Sequence, residues 1–276
     1  MNSKMKENLK QTSLVIGIIL LLTLTFIPIF LMIILSFKSN IQIYTDFWAL
    51  PWPIQWGNYD IAVGLLMRNM INTIIVVTVA TLGTVILASL SGYTFARLDF
   101  PGKNALFMMI LLLMMVPSIL TLTPLYKLIQ ELGINNTWWA LLLPWMSGGQ
   151  VMGILLCRTF MQQQPKSLFE AARIDGAEEF QAYFSIAIPL AKPILTTVGI
   201  MTMVGFYNDF IWPLISIDSN SKQMISVAIR VFQSATGNID IGSMVAGFVF
   251  ATIPLLLMFA MGSRFFIEGL TAGAVK

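Results

Sequence analysis

Charges cut this chain into long neutral stretches at residues 14–36, 69–96, 104–126, 132–157, 193–217 and 241–263, the fifth broken only by Asp209. Each supplies the roughly 20 residues that a helix needs to cross about 30 Å of hydrocarbon. Lipid offers no partner to exposed backbone groups, and no alternating barrel pattern is present. The pattern therefore predicts an all-α, polytopic membrane protein with six transmembrane helices. The first stretch is too long for a signal-peptide core and lacks a small-x-small cleavage site before Phe37 and Lys38, so it reads as a spanning anchor.

Six crossings put both termini on one side, and the basic residues choose the side. With the termini inside, the inner segments hold Lys4, Lys6, Lys10, Arg97, Lys103, Arg158, Lys166, Arg173, Lys192, Arg264 and Lys276. These are eleven of the sixteen Lys and Arg residues, against Lys38, Arg68, Lys127, Lys222 and Arg230 outside. Both ends are expected in the cytoplasm of a bacterial inner membrane. The division that follows is a cytoplasmic N-terminus (1–13), a membrane domain (14–266) with a charged inner loop at 158–192, and a cytoplasmic tail (267–276). Outside, Trp48, Trp52 and Trp56 with Pro51 and Pro53 suit a short structure at the headgroup level, and 216–240 reads as a polar connection.

Composition narrows the function. A mean hydropathy of +0.81 leaves too little polar surface for a water-soluble globule. The net charge of +3 gives no nucleic-acid signal. No histidine is present, and the lone Cys157 sits in an apolar stretch, so metal binding and His-based catalysis have little to draw on. The chain also lacks G-x-x-x-x-G-K-[ST]. Its Gly102-Lys103 pair is followed by Asn104, so no phosphate-binding loop for ATP is available and the subunit is not expected to be an ATPase.

The inner loop is the most charged part. Ser167 to Glu170 fits S-x-x-E after Pro165, which predicts a helix capped by Ser167 with Glu170 reaching back. Leu168, Ala171, Ala172 and Asp175 follow on one side, and Gly176 interrupts. Phe180, Tyr183, Phe184 and Ala187 then resume an apolar stripe as far as Pro189 and Pro193.

The stretch EAARIDGAEEFQAYFSIAIPLAKP resembles the cytoplasmic loop of permease subunits of ATP-binding cassette importers, whose pattern is E-A-A, three residues, G, nine residues, I-x-L-P. Here it falls on Glu170, Ala171, Ala172, Gly176, Ile186 and Pro189, with Ile188 in place of Leu. The segment YTFARLDFPG (93–102), the Pro117 and Pro124 region, FYNDF (206–210) and GLTAGAVK (269–276) resemble the second permease of the oligosaccharide or maltose-type branch, in which a Trp commonly stands where Tyr207 is. The resemblance implies a type I importer fold and a heterodimer with a second permease. It also implies two ATP-binding subunits carrying ATP and Mg, an extracytoplasmic solute-binding protein and a carbohydrate substrate, with no cofactor in this chain. It further implies that Leu168, Phe169, Glu170, Ala171, Ala172, Asp175 and Gly176 form the contact with the ATPase, Glu170 pairing with a basic residue there.

Polar groups in the membrane are candidates for the solute path: Asn208 and Asp209 in the fifth span, Tyr207 beside them and Asn72 in the second. Asp209 reads equally as lying near the outer interface at the end of a short helix. Trp138, Trp139, Trp145 and Trp212 read more simply as interface anchors than as sugar-stacking rings. Gly149 with Gly153, Gly242 with Ala246 and Gly247 with Ala251 have the spacing of close helix contacts. Pro28, Pro117, Pro144, Pro213 and Pro254 are expected to kink or end helices. The alternatives are a permease for another small solute such as a glycerol phosphate, and an ion-coupled secondary transporter.

Overall fold

A computed structural model describes the backbone of residues 3–236 and 240–272, and the side chains of 10–234, 236 and 240–260. Lys4, Lys6 and Arg264 therefore lie outside the described side chains, and residues 273–276, with Lys276, outside the described residues. All regular elements described are helical: α1 Ser3–Ser36, α2 Asn40–Thr45, α3 Gly57–Arg97, α4 Lys103–Leu113, α5 Ser118–Glu131, α6 Trp139–Gln162, α7 Lys166–Ile174, α8 Glu179–Ala182, a π turn at Tyr183–Ala187, α9 Ile188–Asn208, α10 Ile211–Ser216, α11 Ile225–Thr236 and α12 Ile241–Ala272. Among the described residues five helical stretches are long and apolar enough to cross a membrane: Lys10–Ser36, Gly57–Arg97, Trp139–Gln162, Glu179–Asn208 and Ile241–Ala260.

The expected third span is not one helix. It is the pair α4 and α5, bent by 97° and counting as a sixth crossing only if the two halves are taken together. Pro117 stands at the break with ψ 126. Proline has no N–H to extend the ladder, and its ring pushes the preceding residue out of the helical region. Pro28, Pro144 and Pro254, by contrast, are carried inside their helices, and Pro213 sits in the first turn of α10. Pro189 and Pro193 likewise end nothing. The helix from Glu179 to Asn208 runs through them, its widened turn closed by the Ile188 N–H on the Tyr183 carbonyl. Two further boundaries differ from the neutral runs. The fifth span stops at Asn208, and the polar connection at 216–240 contains a helix, α11, whose Val227 and Phe232 are buried.

The chain divides into two compact units, Met1–Met67 with Ile229–Thr252, and Arg68–Ala228 with Ile253–Lys276. In the first, α1 is exposed from Lys10 to Phe30 and becomes buried only at its end, at Ser36. The Trp-rich segment after α1 is organised by a Ser39–Gln42 capping box on α2 and by Lys38. That side chain is fully buried and donates to the carbonyls of Asp46 and Phe47 at 2.6 and 3.0 Å. Asn58 donates to the carbonyls of Ser36 and Lys38, both at 2.9 Å, and Trp48, Trp52 and Trp56 remain exposed.

The second unit holds the core. α3, α6 and α9 approach closely where residues are small: a Cβ on Gly153 would lie 2.7 Å from Ala88 Cβ and 3.1 Å from Val198, and one on Gly149 2.8 Å from Phe206. Cys157 is buried in this contact among Ala88, Phe95, Phe107, Ile154 and Val198, as packing.

Candidate functional site

Pro165 fixes where α7 begins. It takes the N-cap position in an extended conformation and accepts the Leu168 N–H at 3.3 Å, so the helix starts at Lys166 and Ser167 is already inside the first turn. The capping box expected from Ser167 and Glu170 is therefore not made. Glu170 is exposed and, among the described residues, its carboxylate accepts no hydrogen bond. The end of the helix is as the spacing foretold. Gly176 adopts φ 84, its N–H bonds the Arg173 carbonyl at 3.1 Å, and the Ala177 N–H bonds the Ala172 carbonyl at 2.9 Å. That paired closure uses the left-handed conformation in which a Cβ is strained, which is why glycine stands there.

One side of α7 is anchored and the other is bare. Phe169 is buried against Tyr93, ring centroids 6.4 Å apart, and the Arg97 guanidinium lies 4.1 Å over its ring. Arg97 also donates to the carbonyls of Met161 and Gln164 at 2.6 and 2.7 Å, closing the C-terminal end of α6. Gln164 in turn donates to the Ala187 carbonyl in the π turn at 3.3 Å.

Beyond Gly176, Arg173 grips Glu179 through Nε and Nη2 at 3.1 and 2.6 Å, and the Tyr93 hydroxyl donates to the other oxygen of Glu179 at 3.0 Å. The hydrogen bond to Glu179 and its negative charge raise the Arg173 pKa above its usual value, so the guanidinium stays charged. Tyr183 donates to Ser89 at 2.9 Å. Leu168, Glu170, Ala171, Asp175 and Gly176 are left exposed, Ala172 partly so, with Ile174 (87 %) and Phe180 (72 %) standing out. A short rigid helix is thus fastened by its inward side and shows apolar and acidic groups outward.

The four candidates for a solute path do not assemble into an open cavity. Asn72 is buried and donates to the carbonyls of Ser221 and Gln223 at 2.9 and 3.2 Å, beside Asn69, which donates to those of Asn220 and Gln223. Tyr207 is buried with its hydroxyl 3.5 Å from the Met70 sulfur. Asp209 lies beyond the end of α9, where it accepts the Trp145 indole N–H at 2.8 Å and the Trp212 backbone N–H at 3.3 Å. Its polar environment is supplied by the chain itself. Only Asn208 is exposed, bonding back to the Val204 carbonyl.

Two of the four tryptophans depart from expectation. Trp145 is stacked on Phe206, and Trp212 donates to the Ala140 carbonyl; both are buried, because each indole N–H has an internal acceptor. Asn136 was not singled out by the sequence. At φ 55 it accepts the N–H groups of Asp218 and Ser219, and its own N–H meets the Ser216 carbonyl.

The helical membrane architecture and the E-A-A-to-Gly176 loop together are those of a multi-pass membrane permease of the ATP-binding cassette importer class. The chain belongs to the family of binding-protein-dependent transport system inner membrane components, whose pattern matches residues 84–266. It is 31 % identical to the trehalose/maltose transport system permease protein MalG of Thermococcus litoralis, covering 98 % of this chain and 99 % of that one. It is 33 % identical to the trehalose transport system permease protein SugB of Mycobacterium tuberculosis, over 96 % and 95 %. Against the probable ABC transporter permease protein YurM of Bacillus subtilis the identity is 30 %, over 96 % and 89 %. The fold matches a crystal structure of a bacterial ABC transporter involved in import of the acidic polysaccharide alginate, with TM-score 0.81 at 19 % identity over 96 % of this chain and 99 % of that one.

Proposed function

We propose that this permease forms half of the translocation pathway for a neutral di- or oligosaccharide and is driven by ATP hydrolysed in a partner subunit that docks on α7. The observation that carries the coupling role is the arrangement of α7: held from within by Phe169 and Arg173, stopped by Gly176, and bare at Glu170, Ala171 and Ile174. Such a helix moves as a rigid body when a partner pushes it, and small Ala171 and Ala172 let that partner approach closely. Glu170, which makes no hydrogen bond among the described residues, is available to a basic residue of the ATPase.

The carbohydrate reading is supported by relatives of similar length named for trehalose, maltose, and melibiose, raffinose and stachyose. A glycerol phosphate would call for a cation along the path. Of the cations in the spans, Arg97 and Arg158 sit over phenylalanine rings and bond backbone carbonyls, while Arg68 and Lys192 are exposed, so uptake itself separates the two substrates. Of the path candidates Asn208 is the accessible one, with Asp209 setting the end of its helix. A second permease, two ATP-binding subunits with ATP and Mg, and an extracytoplasmic solute-binding protein complete the machine, with both termini and α7 in the cytoplasm on the Lys and Arg asymmetry.

The test is uptake by the complex reconstituted in proteoliposomes with its solute-binding protein. Labelled trehalose, maltose and raffinose are offered against glycerol 3-phosphate, with ATP inside or absent and with ionophores. At least one sugar should accumulate, only with internal ATP and regardless of the ionophore. Accumulation that survives ATP removal but collapses with the ion gradient, or that is confined to the phosphate, would overturn the proposal.

A further inference from the structure

Resting on the coupling role of α7, we infer that the stretch of α3 from Asn69 to Arg97 is the rod that carries ATPase-driven motion from the inner loop to the outer segment at 220–223, with Tyr93 and Glu179 as the positioning residues that engage it. Both ends of this stretch are gripped, and by different chemistry. At the inner end Tyr93 takes part in both links to α7: its ring packs on Phe169, and its hydroxyl reaches Glu179, which Arg173 holds by two N–H groups. One turn further on, Arg97 covers Phe169 and bonds the end of α6. A displacement of α7 thus cannot leave the last turns of α3 behind.

At the outer end Asn69 and Asn72 send their amides to the carbonyls of Asn220, Ser221 and Gln223, and the Thr73 hydroxyl accepts the Ile225 N–H at 2.8 Å. Side-chain bonds to backbone carbonyls grip the segment itself and are indifferent to its side chains. Tyr93 and Asn72 are separated by about 30 Å of helix at the usual rise of about 1.5 Å per residue. No proline interrupts α3, and it lies close against α6 both at Gly83, where a Cβ would collide with Met146 Cε, and beside Tyr93 at Gly92, where one would lie 2.5 Å from Cys157 Cβ. A continuous backbone-bonded helix between two such grips is a contiguous physical link of the kind that coupling needs.

The experiment uses the whole complex in proteoliposomes, with Asn220→Cys as a probe for a membrane-impermeant maleimide applied from outside. Cys157 is the chain's other cysteine and is buried. In the probe-bearing parent, ATP should change the labelling rate at position 220. Tyr93→Phe, which keeps the ring and removes the hydroxyl, should bring the ratio of rates with and without ATP to one while the ATP-binding subunit is retained and ATP is still hydrolysed. Glu179→Gln, which keeps an acceptor for Tyr93 but loses the ion pair with Arg173, should give an intermediate ratio, and Asn72→Ala should act from the far end as Tyr93→Phe does. An unchanged ratio in Tyr93→Phe, or no ATP effect in the parent, refutes the rod. Loss of the ATP-binding subunit in Tyr93→Phe would make the hydroxyl part of docking and refute its transmitting role. The docking of α7 fails separately, if disruption of its Gly176 turn leaves subunit retention and uptake intact.

Discussion

Consecutive residues of α7 have opposite tasks. Phe169 points inward beneath Arg97, while Glu170 points outward and, among the described residues, makes no hydrogen bond. Replacing Glu170 by Ala should therefore leave the thermal stability of the isolated subunit unchanged and lower uptake more than ATPase retention; a fall in melting temperature would mean that Glu170 serves the fold. Trp145 is the converse case. Trp145→Phe keeps the ring on Phe206 but leaves the Asp209 oxygen without its indole donor, which should cost about 1–3 kcal/mol and lower the melting temperature in detergent. An unchanged melting temperature would mean that water replaces the indole at no cost. The contrast also marks what was legible. Glu170, Ala171, Ala172 and Gly176 stand at fixed local spacing and could be read directly. The bond from Tyr93 to Glu179 joins residues 86 apart and left no local signal. Nor was the cap legible correctly, because Pro165 pre-empts the position that S-x-x-E assigns to Ser167.

At the scale of elements, the neutral runs locate helices but not their interruptions. Asp209 left two readings open, a group lining the path or the end of a short helix, and α9 does stop at Asn208; the bend in the run at 104–126 falls at Pro117, one of the prolines expected to kink or end a helix, but its size of 97° had no local signal. α11 escaped because its apolar residues are interleaved with Ser, Arg and Gln in a segment bounded by polar residues. What the runs do contain is the spacing of small residues, and Gly149 and Gly153 meet α3 and α9 as that spacing required. A bulky side chain there is the clearest test of the packing. Gly153→Leu has no flexible neighbour to displace, since Ala88 and Val198 face it. It should cost about 1–3 kcal/mol or more, seen as a lower melting temperature and reduced recovery of folded protein from the membrane. Wild-type stability would show that α3, α6 and α9 are not in such close contact.

At the scale of the whole molecule, the proposed coupling passes a partner's ATP hydrolysis to the permease through one short helix ended at Gly176. The left-handed turn is where that coupling is most vulnerable. Proline at 176 fixes φ near about −65° and removes the N–H that bonds Arg173, so the pairing of Arg173 with Glu179 and the outward presentation of α7 are lost together. The membrane helices are untouched, and insertion should proceed. The decisive measurement is sugar uptake together with co-purification of the ATP-binding subunit for Gly176→Pro in the reconstituted complex. A normally inserted permease that retains little ATPase and accumulates no sugar is expected, whereas wild-type retention and uptake would show the loop to be a passive connection.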